Sequence, residues 1–229
     1  MGIQKKAEAL KIKGVADIVF CFDITGSMTE IIKSVKDNVE KLVEGFASYE
    51  GANVTLDWRA RVMGYRDFEE EKEEYLVNDR PFVSTVEALR EQINGMEAKE
   101  YTGGDDPEST LDAIWWAAKT TDWRENCHKI VVVFTDEAPK PVNEKTKKAI
   151  ERADDDIEVL AQELNIDHIK LFLWCKKDLA YDALVKIPRA DIVQLENPAE
   201  DFKKLDFETL MTTIGKTVSQ LASSDGMTA

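Results

Sequence analysis

The stretch "ADIVFCFDITGSM", residues 16–28, decides how the rest of the chain reads. From Ile18 to Phe22 every residue is apolar, so both faces of the segment require burial. Such an unbroken run marks an interior strand of a parallel sheet, covered by helices on each side. The run stops on a carboxylate, Asp23, and the hydroxyls of Thr25 and Ser27 follow at alternate positions. A second run, "VVVFTDEAPKP", residues 131–141, stops in the same way, on Thr135, Asp136 and Glu137, before prolines forbid regular continuation.

The chain between and beyond these runs alternates strand and helix patterns. Met28, Ile31, Ile32, Val35, Val39, Leu42, Val43 and Phe46 recur at steps of three and four, one face of a helix. Residues 54–63 alternate, with Val54, Leu56, Trp58, Ala60 and Val62 on one side, as in a strand. Residues 75–83 read as an edge strand, because Pro81 has no N–H for an interior ladder. A short helix is expected over 86–93. Another should open at Pro107 and continue through Leu111, Ile114, Trp115 and Ala118. Asp105, Asp106 and Glu108 would then form an acidic first turn facing the helix dipole. Strands follow over 129–134, 169–174 and 191–195, with a helical stripe of Ile150, Ala153, Ile157, Leu160 and Leu164 between the first two. Phe207, Leu210, Met211, Ile214, Val218 and Leu221 make a closing helix. Strands that alternate with helices imply an α/β domain with a mostly parallel sheet. We expect one domain over 15–222, between a short lead, 1–14, and a loose tail, 223–229.

Composition narrows the function classes. The 229 residues are 43% hydrophobic and 33% charged, which suits a folded globular chain. No apolar run reaches the length of a membrane-spanning helix, and the lead lacks the long apolar stretch and small-residue cleavage site of a signal peptide. A net charge of −15 repels phosphate backbones and anionic lipid, so neither nucleic acid nor membrane is expected as a partner. Cys21, Cys127 and Cys175 are odd in number, widely spaced and without a CxxC pair. They read as reduced thiols of a cytoplasmic protein.

In an open α/β sheet ligands bind outside the carboxyl ends of the strands, where strand order reverses. Asp23, Thr25 and Ser27 should lie at one such end and Asp136 at another, while the loop "YTGGDDPE", 101–108, adds Thr102. A carboxylate buried at a strand end is costly unless it is paired or coordinates a metal. No Lys or Arg adjoins Asp23 or Asp136 in sequence, so a hard cation is the economical solution. Carboxylate and hydroxyl oxygens suit Mg²⁺, Mn²⁺ or Ca²⁺. Few carboxylates among several hydroxyls favour Mg²⁺, which keeps waters and accepts an outside ligand.

"DITGS" resembles the D-x-S-x-S motif of von Willebrand factor A domains, which forms their metal-ion-dependent adhesion site. "YTGGDDPE" is similar to the family loop that supplies a threonine ligand, and "VVVFTDEAPK" to the strand that supplies a second aspartate. "RVMGYRDF", 61–68, resembles a strand end of a branch that also carries D-x-T-G-S. The resemblance runs from residue 15 to the last helix. It implies metal ligands at Asp23, Thr25, Ser27, Thr102 and Asp136. The one departure is Thr25, where the family more often has serine; the hydroxyl survives, and the added methyl bears on affinity or metal preference. It also implies a Rossmann-like, open, mostly parallel six-stranded sheet, order 3-2-1-4-5-6, with one antiparallel edge strand and helices on both faces. The function implied is that of a non-catalytic protein-binding module, set in a multi-subunit assembly, whose cation captures an Asp or Glu of a partner protein.

An aspartate before Thr-Gly-Ser is also similar to phosphoaspartate phosphatases and phosphotransferases of haloacid dehalogenase type, with Lys140 as their later lysine. That reading lacks the second acid, since Thr25 stands in its place. His128 and His168 should sit at strand starts, on the rim away from the site. "IGKT", 214–217, lacks the earlier glycine of a phosphate-binding loop, and Asp154, Asp155 and Asp156 lack the rest of a calcium loop. Arg66 and Asp67 read as a loop-fixing pair. Of Trp115, Trp116 and Trp123, one is expected in the core.

Overall fold

Strand β1, Ile12–Asp23, pairs in parallel with β2, Val54–Tyr65, on one side and with β4, His128–Phe134, on the other. Beyond β2 lies β3, Val77–Asp79, antiparallel, and beyond β4 lie β5, Lys170–Lys176, and β6, Ala190–Leu195, both parallel. The sheet is six-stranded in the order β3-β2-β1-β4-β5-β6, the order the motif resemblance implies. The structure, a computed structural model, describes residues 12–37, 54–68, 77–98, 107–149, 151, 157–206, 209–210, 212–214 and 216–217. Thr102, Asp105, Asp106, the Asp154–Asp156 run and Gly215 lie outside the described residues.

Side-chain alternation along β1 builds two cores. Ile18, Phe20 and Phe22 face one side, where they meet Ile31, Ile32 and Val35 of α1, Thr29–Asp37, and Leu89 and Ile93 of α2, Val86–Asn94. Leu210 and Ile214, in the closing helical segment, join the same layer. Val19 and Cys21 face the other side, against Leu111, Ile114 and Trp115 of α3, Thr110–Lys119. Of the helical stripe expected over Ile150, Ala153, Ile157, Leu160 and Leu164, the first two lie outside the described residues. Helix α4, Glu144–Ala149, precedes Glu151, which takes a left-handed φ of 56°, and α5, Ile157–Ile166, carries the later part of the stripe. Leu160 and Leu164 of α5 are buried in the second core. Trp115 is the buried tryptophan, as expected of one of the three.

Two expectations at the sheet edge and the α3 entry need correction. Residues 75–83 do not form one strand. Within the described part β3 spans Val77–Asp79, Pro81 stands outside it, and Val83 makes a separate antiparallel bridge to Ala60. Proline interrupts the ladder for the reason anticipated, with a shorter strand as the outcome. Helix α3 opens at Thr110 and not at Pro107. The Glu108 N–H donates to the Ala138 carbonyl at 2.9 Å and its carbonyl accepts from Lys140 N at 2.8 Å, which pins the preceding residues as an extended strap. Glu108 is therefore not part of a first-turn acidic cluster.

The crevice that matters lies between β1 and β4. The sheet runs outward from β1 in one direction through β2 and in the other through β4, so connections leave the two strand ends on opposite sides. The register sets Phe22 beside Phe134, with rings stacked at 5.0 Å, which brings Asp23 and Thr135 to the same level. Ile24 N donates to the Tyr65 carbonyl at 2.9 Å, and Ile24 covers Gly64 so closely that a Cβ there would sit 3.1 Å from its side chain. The turn after Asp23 is thus clamped onto the end of β2. At the opposite rim Asp17 accepts from Arg59 and Arg124, and His128 begins β4, away from the crevice.

Candidate metal centre

Asp23 forms the floor of the crevice and is fully buried. Its Oδ1 accepts from the Thr25 backbone N–H at 3.0 Å and the Thr25 hydroxyl at 2.6 Å. Its Oδ2 accepts from the Thr135 hydroxyl at 3.0 Å. Thr25 can do this because it is extended, at the cap of a 3-10 turn over Gly26–Met28 that leads into α1. The same turn carries Ser27 upward, and the Ser27 hydroxyl donates to Asp136 Oδ1 at 3.1 Å, across 109 positions of sequence. The structure thus brings together Asp23, Thr25, Ser27 and Asp136. Thr102, the remaining expected ligand, lies outside the described residues.

The hydroxyls reveal what the cluster lacks. Each carries one proton. Thr25 gives its proton to Asp23, and Ser27 gives its own to Asp136. The two hydroxyl oxygens are 3.2 Å apart, within hydrogen-bond reach of each other, so the four side chains form one continuous chain of oxygens. Burial pushes the Asp23 carboxyl up to about 7; the Thr25 and Thr135 bonds oppose this and the Asp136 charge adds to it. Burial likewise raises Asp136, against its bond from Ser27. No Lys or Arg bonds to either acid among the described residues, and Lys176, the cation acting on Asp136, is bonded to Glu137 at 2.7 Å. An all-oxygen set of two carboxylates and two hydroxyls, with no Lys or Arg bonded to the acids among the described residues, fits a hard divalent ion. Exposure rises from buried Asp23 through half-buried Thr25 to exposed Ser27, so the cluster opens to solvent on one side.

Sequence reasoning missed several supporting groups. Thr135 was visible only as a neighbour of Asp136, and its bond to Asp23 depends on the β1–β4 register. Beneath it the Tyr65 hydroxyl pairs with Thr110 at 3.1 Å and the Tyr181 hydroxyl donates to the Glu137 carbonyl at 3.0 Å; both tyrosines are buried. Asp67 has a further, long-range partner that the sequence did not announce. It accepts from Lys140 Nζ at 2.6 Å, and Ser109 Oγ accepts from Phe68 N at 2.9 Å, which ties the strap to the end of β2. Glu108 is buried in that strap, and burial followed by the Asp23 and Asp67 charges pushes its carboxyl up to about 9.

The fold and this cluster define an open α/β domain with an oxygen-donor site at the strand-order reversal. The family model "von Willebrand factor type A domain" matches residues 17–198, and the chain belongs to that family. Domains of the family are generally protein-interaction and adhesion modules. Among solved structures the chain is similar to proximal thread matrix protein 1 from the mussel byssus with a zinc-occupied MIDAS motif, at TM-score 0.57 and 15% identity. A second crystal form of that protein gives TM-score 0.55, also at 15% identity. Both matches cover 88% of this chain and 48% of the other, so this chain spans about half the length of those proteins, and the likeness concerns the fold. No curated protein matches the sequence. None of these matches supports the phosphoaspartate alternative, and its lysine, Lys140, is engaged by Asp67.

Proposed function

We propose that this domain is a non-catalytic binding module that captures an Asp or Glu of a partner protein through a Mg²⁺ ion held by Asp23, Thr25, Ser27, Thr102 and Asp136. The observation that carries the reading is the chain of oxygens from Asp23 through Thr25 and Ser27 to Asp136, with the two hydroxyl oxygens 3.2 Å apart. Mn²⁺ or Ca²⁺ would serve as substitutes. When bound, the ion supplies the local positive charge that a chain of net charge −15 lacks, so an acidic partner residue can be held. Asp23 anchors the site from below, fixed by Thr25 and Thr135. Asp136 and Ser27 form the wall, and the exposed side is the entry for the partner's carboxylate. The same reading places the module in the cytoplasm, as a domain over residues 15–222, within a multi-subunit assembly. No described helix is long and apolar enough to cross a membrane.

The test is capture of host proteins on the immobilised chain with Mg²⁺, with chelator, and with Asp23→Ala. Proteins retained with Mg²⁺ and lost in both other arms support the reading. Retention that survives both chelation and the substitution overturns it.

A further inference from the structure

An arginine at the sheet edge, Arg80, carries a charge that no acid among the described residues pairs. It follows β3, and its backbone N–H donates to the Val62 carbonyl at 3.3 Å. Its side chain crosses to the turn after α2, where Nη2 donates to the Gly95 carbonyl at 2.8 Å. Nη1 is buried with no hydrogen-bond partner among the described residues. Burial lowers the guanidinium below its ordinary value, and no described carboxylate offsets this. Its neighbours differ. Arg59 and Arg124 both donate to Asp17, and Arg61 donates to the Thr121 hydroxyl at 2.5 Å.

Arg80 lines a cavity of about 310 Å³ between the β3–α2 connection and the turn after α3. Pro81 and Phe82 give it an apolar wall, and the Phe82 ring is held in place by the Arg59 and Arg61 guanidiniums, 4.1 and 5.3 Å from its centroid. Arg80 and the buried Arg61 supply positive charge. Asp122 stands exposed at the rim; its carbonyl accepts from Arg59, and water screens its carboxylate. Arg61 pairs with Val19 of β1, so about 13 Å of strand separates this level from the crevice at Asp23. The cavity shares no residue with the metal centre, and its occupancy is independent of the cation there.

We propose that this cavity binds a small organic carboxylate, whose planar group takes the spare N–H donors of Arg80 while its apolar body lies against Pro81 and Phe82. A guanidinium is a fork of five donors that can meet a carboxylate with two parallel bonds. One donor is spent on Gly95, and a small rotation of the group opens Nη1 to the cavity. A monoanion suits the site better than a phosphate. One unpaired cation balances one charge, and the chain's net charge of −15 opposes a second.

The test uses the full chain in chelator, so that no divalent ion can hold an anion elsewhere. Sodium benzoate, neutral benzamide and inorganic phosphate are titrated in turn at constant ionic strength. Amide NMR shifts are followed at Arg80, Phe82, Thr120, Thr121 and Asp122. Wild type should bind benzoate saturably at these amides, and benzamide and phosphate at least about ten-fold more weakly. Arg80→Gln should weaken benzoate by at least about ten-fold and leave benzamide unchanged. Absence of a saturable benzoate shift overturns the proposal, and so does benzamide or phosphate binding within about two-fold of benzoate. These comparisons use wild type and decide the matter even if Arg80→Gln does not fold. A folded Arg80→Gln that binds benzoate within about two-fold of wild type overturns it as well.

Discussion

Replacing Thr135 by valine should separate what the crevice contributes to stability from what it contributes to its ligand. Thr135 is fully buried, and its hydroxyl donates to Asp23 Oδ2 at 3.0 Å while accepting from Glu137 N at 3.3 Å. Valine is close in volume, so no cavity opens, but a hydrogen bond to an acid is lost and Oδ2 is left buried without a donor. A hydrogen bond to a charged group contributes roughly 1.5–3 kcal/mol, and the longer Glu137 contact, nearer solvent, adds little. We expect a loss of about 2 kcal/mol in chelator at pH 8. With a urea dependence of roughly 3 kcal/mol per M, the unfolding midpoint should fall by about 0.7 M. Thr135→Ser is the control: it keeps the hydroxyl and forfeits one methyl, about 0.8 kcal/mol. Cation titration should then find Thr135→Ser close to wild type. Thr135→Val should bind more weakly, because Asp23 can turn once Oδ2 is released. Equal midpoints and equal cation affinities for the two variants would refute the claim that this hydroxyl orients Asp23.

At the opposite rim Asp17 accepts from Arg59 Nε at 2.9 Å and Nη2 at 2.8 Å, and from Arg124 N at 2.8 Å and Nε at 2.7 Å. Burial pushes its carboxyl up, but the Arg59 and Arg124 bonds outweigh this and hold it below its usual 3.8. Its folded value is therefore depressed, so its stabilisation is full above the unfolded value and is lost as pH falls through the lower folded one. Asp17→Asn should cost about 3 kcal/mol at pH 7 in urea unfolding, with the difference from wild type narrowing only below pH 3.8 and cation binding unchanged. Lys140→Met should cost about 3 kcal/mol by thermal melting, because it removes the ion pair of the buried Asp67 carboxylate; a neutral result would mean that the other contacts of Asp67 suffice to hold its charge. Gly64→Ala should cost about 1 kcal/mol, since its Cβ would meet Ile24 at 3.1 Å, and Ile24→Val should relieve part of that cost in the double variant.

Much of the fold was legible in the residues. The unbroken apolar runs before Asp23 and Asp136 announced interior parallel strands, and strict alternation from Trp58 to Val62 announced a strand with one helix-covered face. Three- and four-step spacing of Ile31, Ile32 and Val35 gave the buried side of α1. These signals are local, because burial of a strand or helix face leaves its period in the sequence. The entry to α3 was misread for an equally local reason: Pro107 is a good first-turn residue, and nothing nearby in sequence reveals that the Glu108 backbone pairs with Ala138 and Lys140. The bond that Asp67 accepts from Lys140, 73 positions away, was hidden for the same reason.

The sequence alone determined which chemical groups this protein offers: hard oxygen donors at the ends of apolar strands, hydroxyls at alternate positions after Asp23, and no neighbouring cation. Only the tertiary structure decided which donors share a space. It set Ser27 against Asp136 and Thr135 under Asp23. The physical reason is that strand pairing and strap anchoring are long-range contacts. Their register depends on how two cores close on both faces of the sheet, and no short stretch of the chain encodes that by itself.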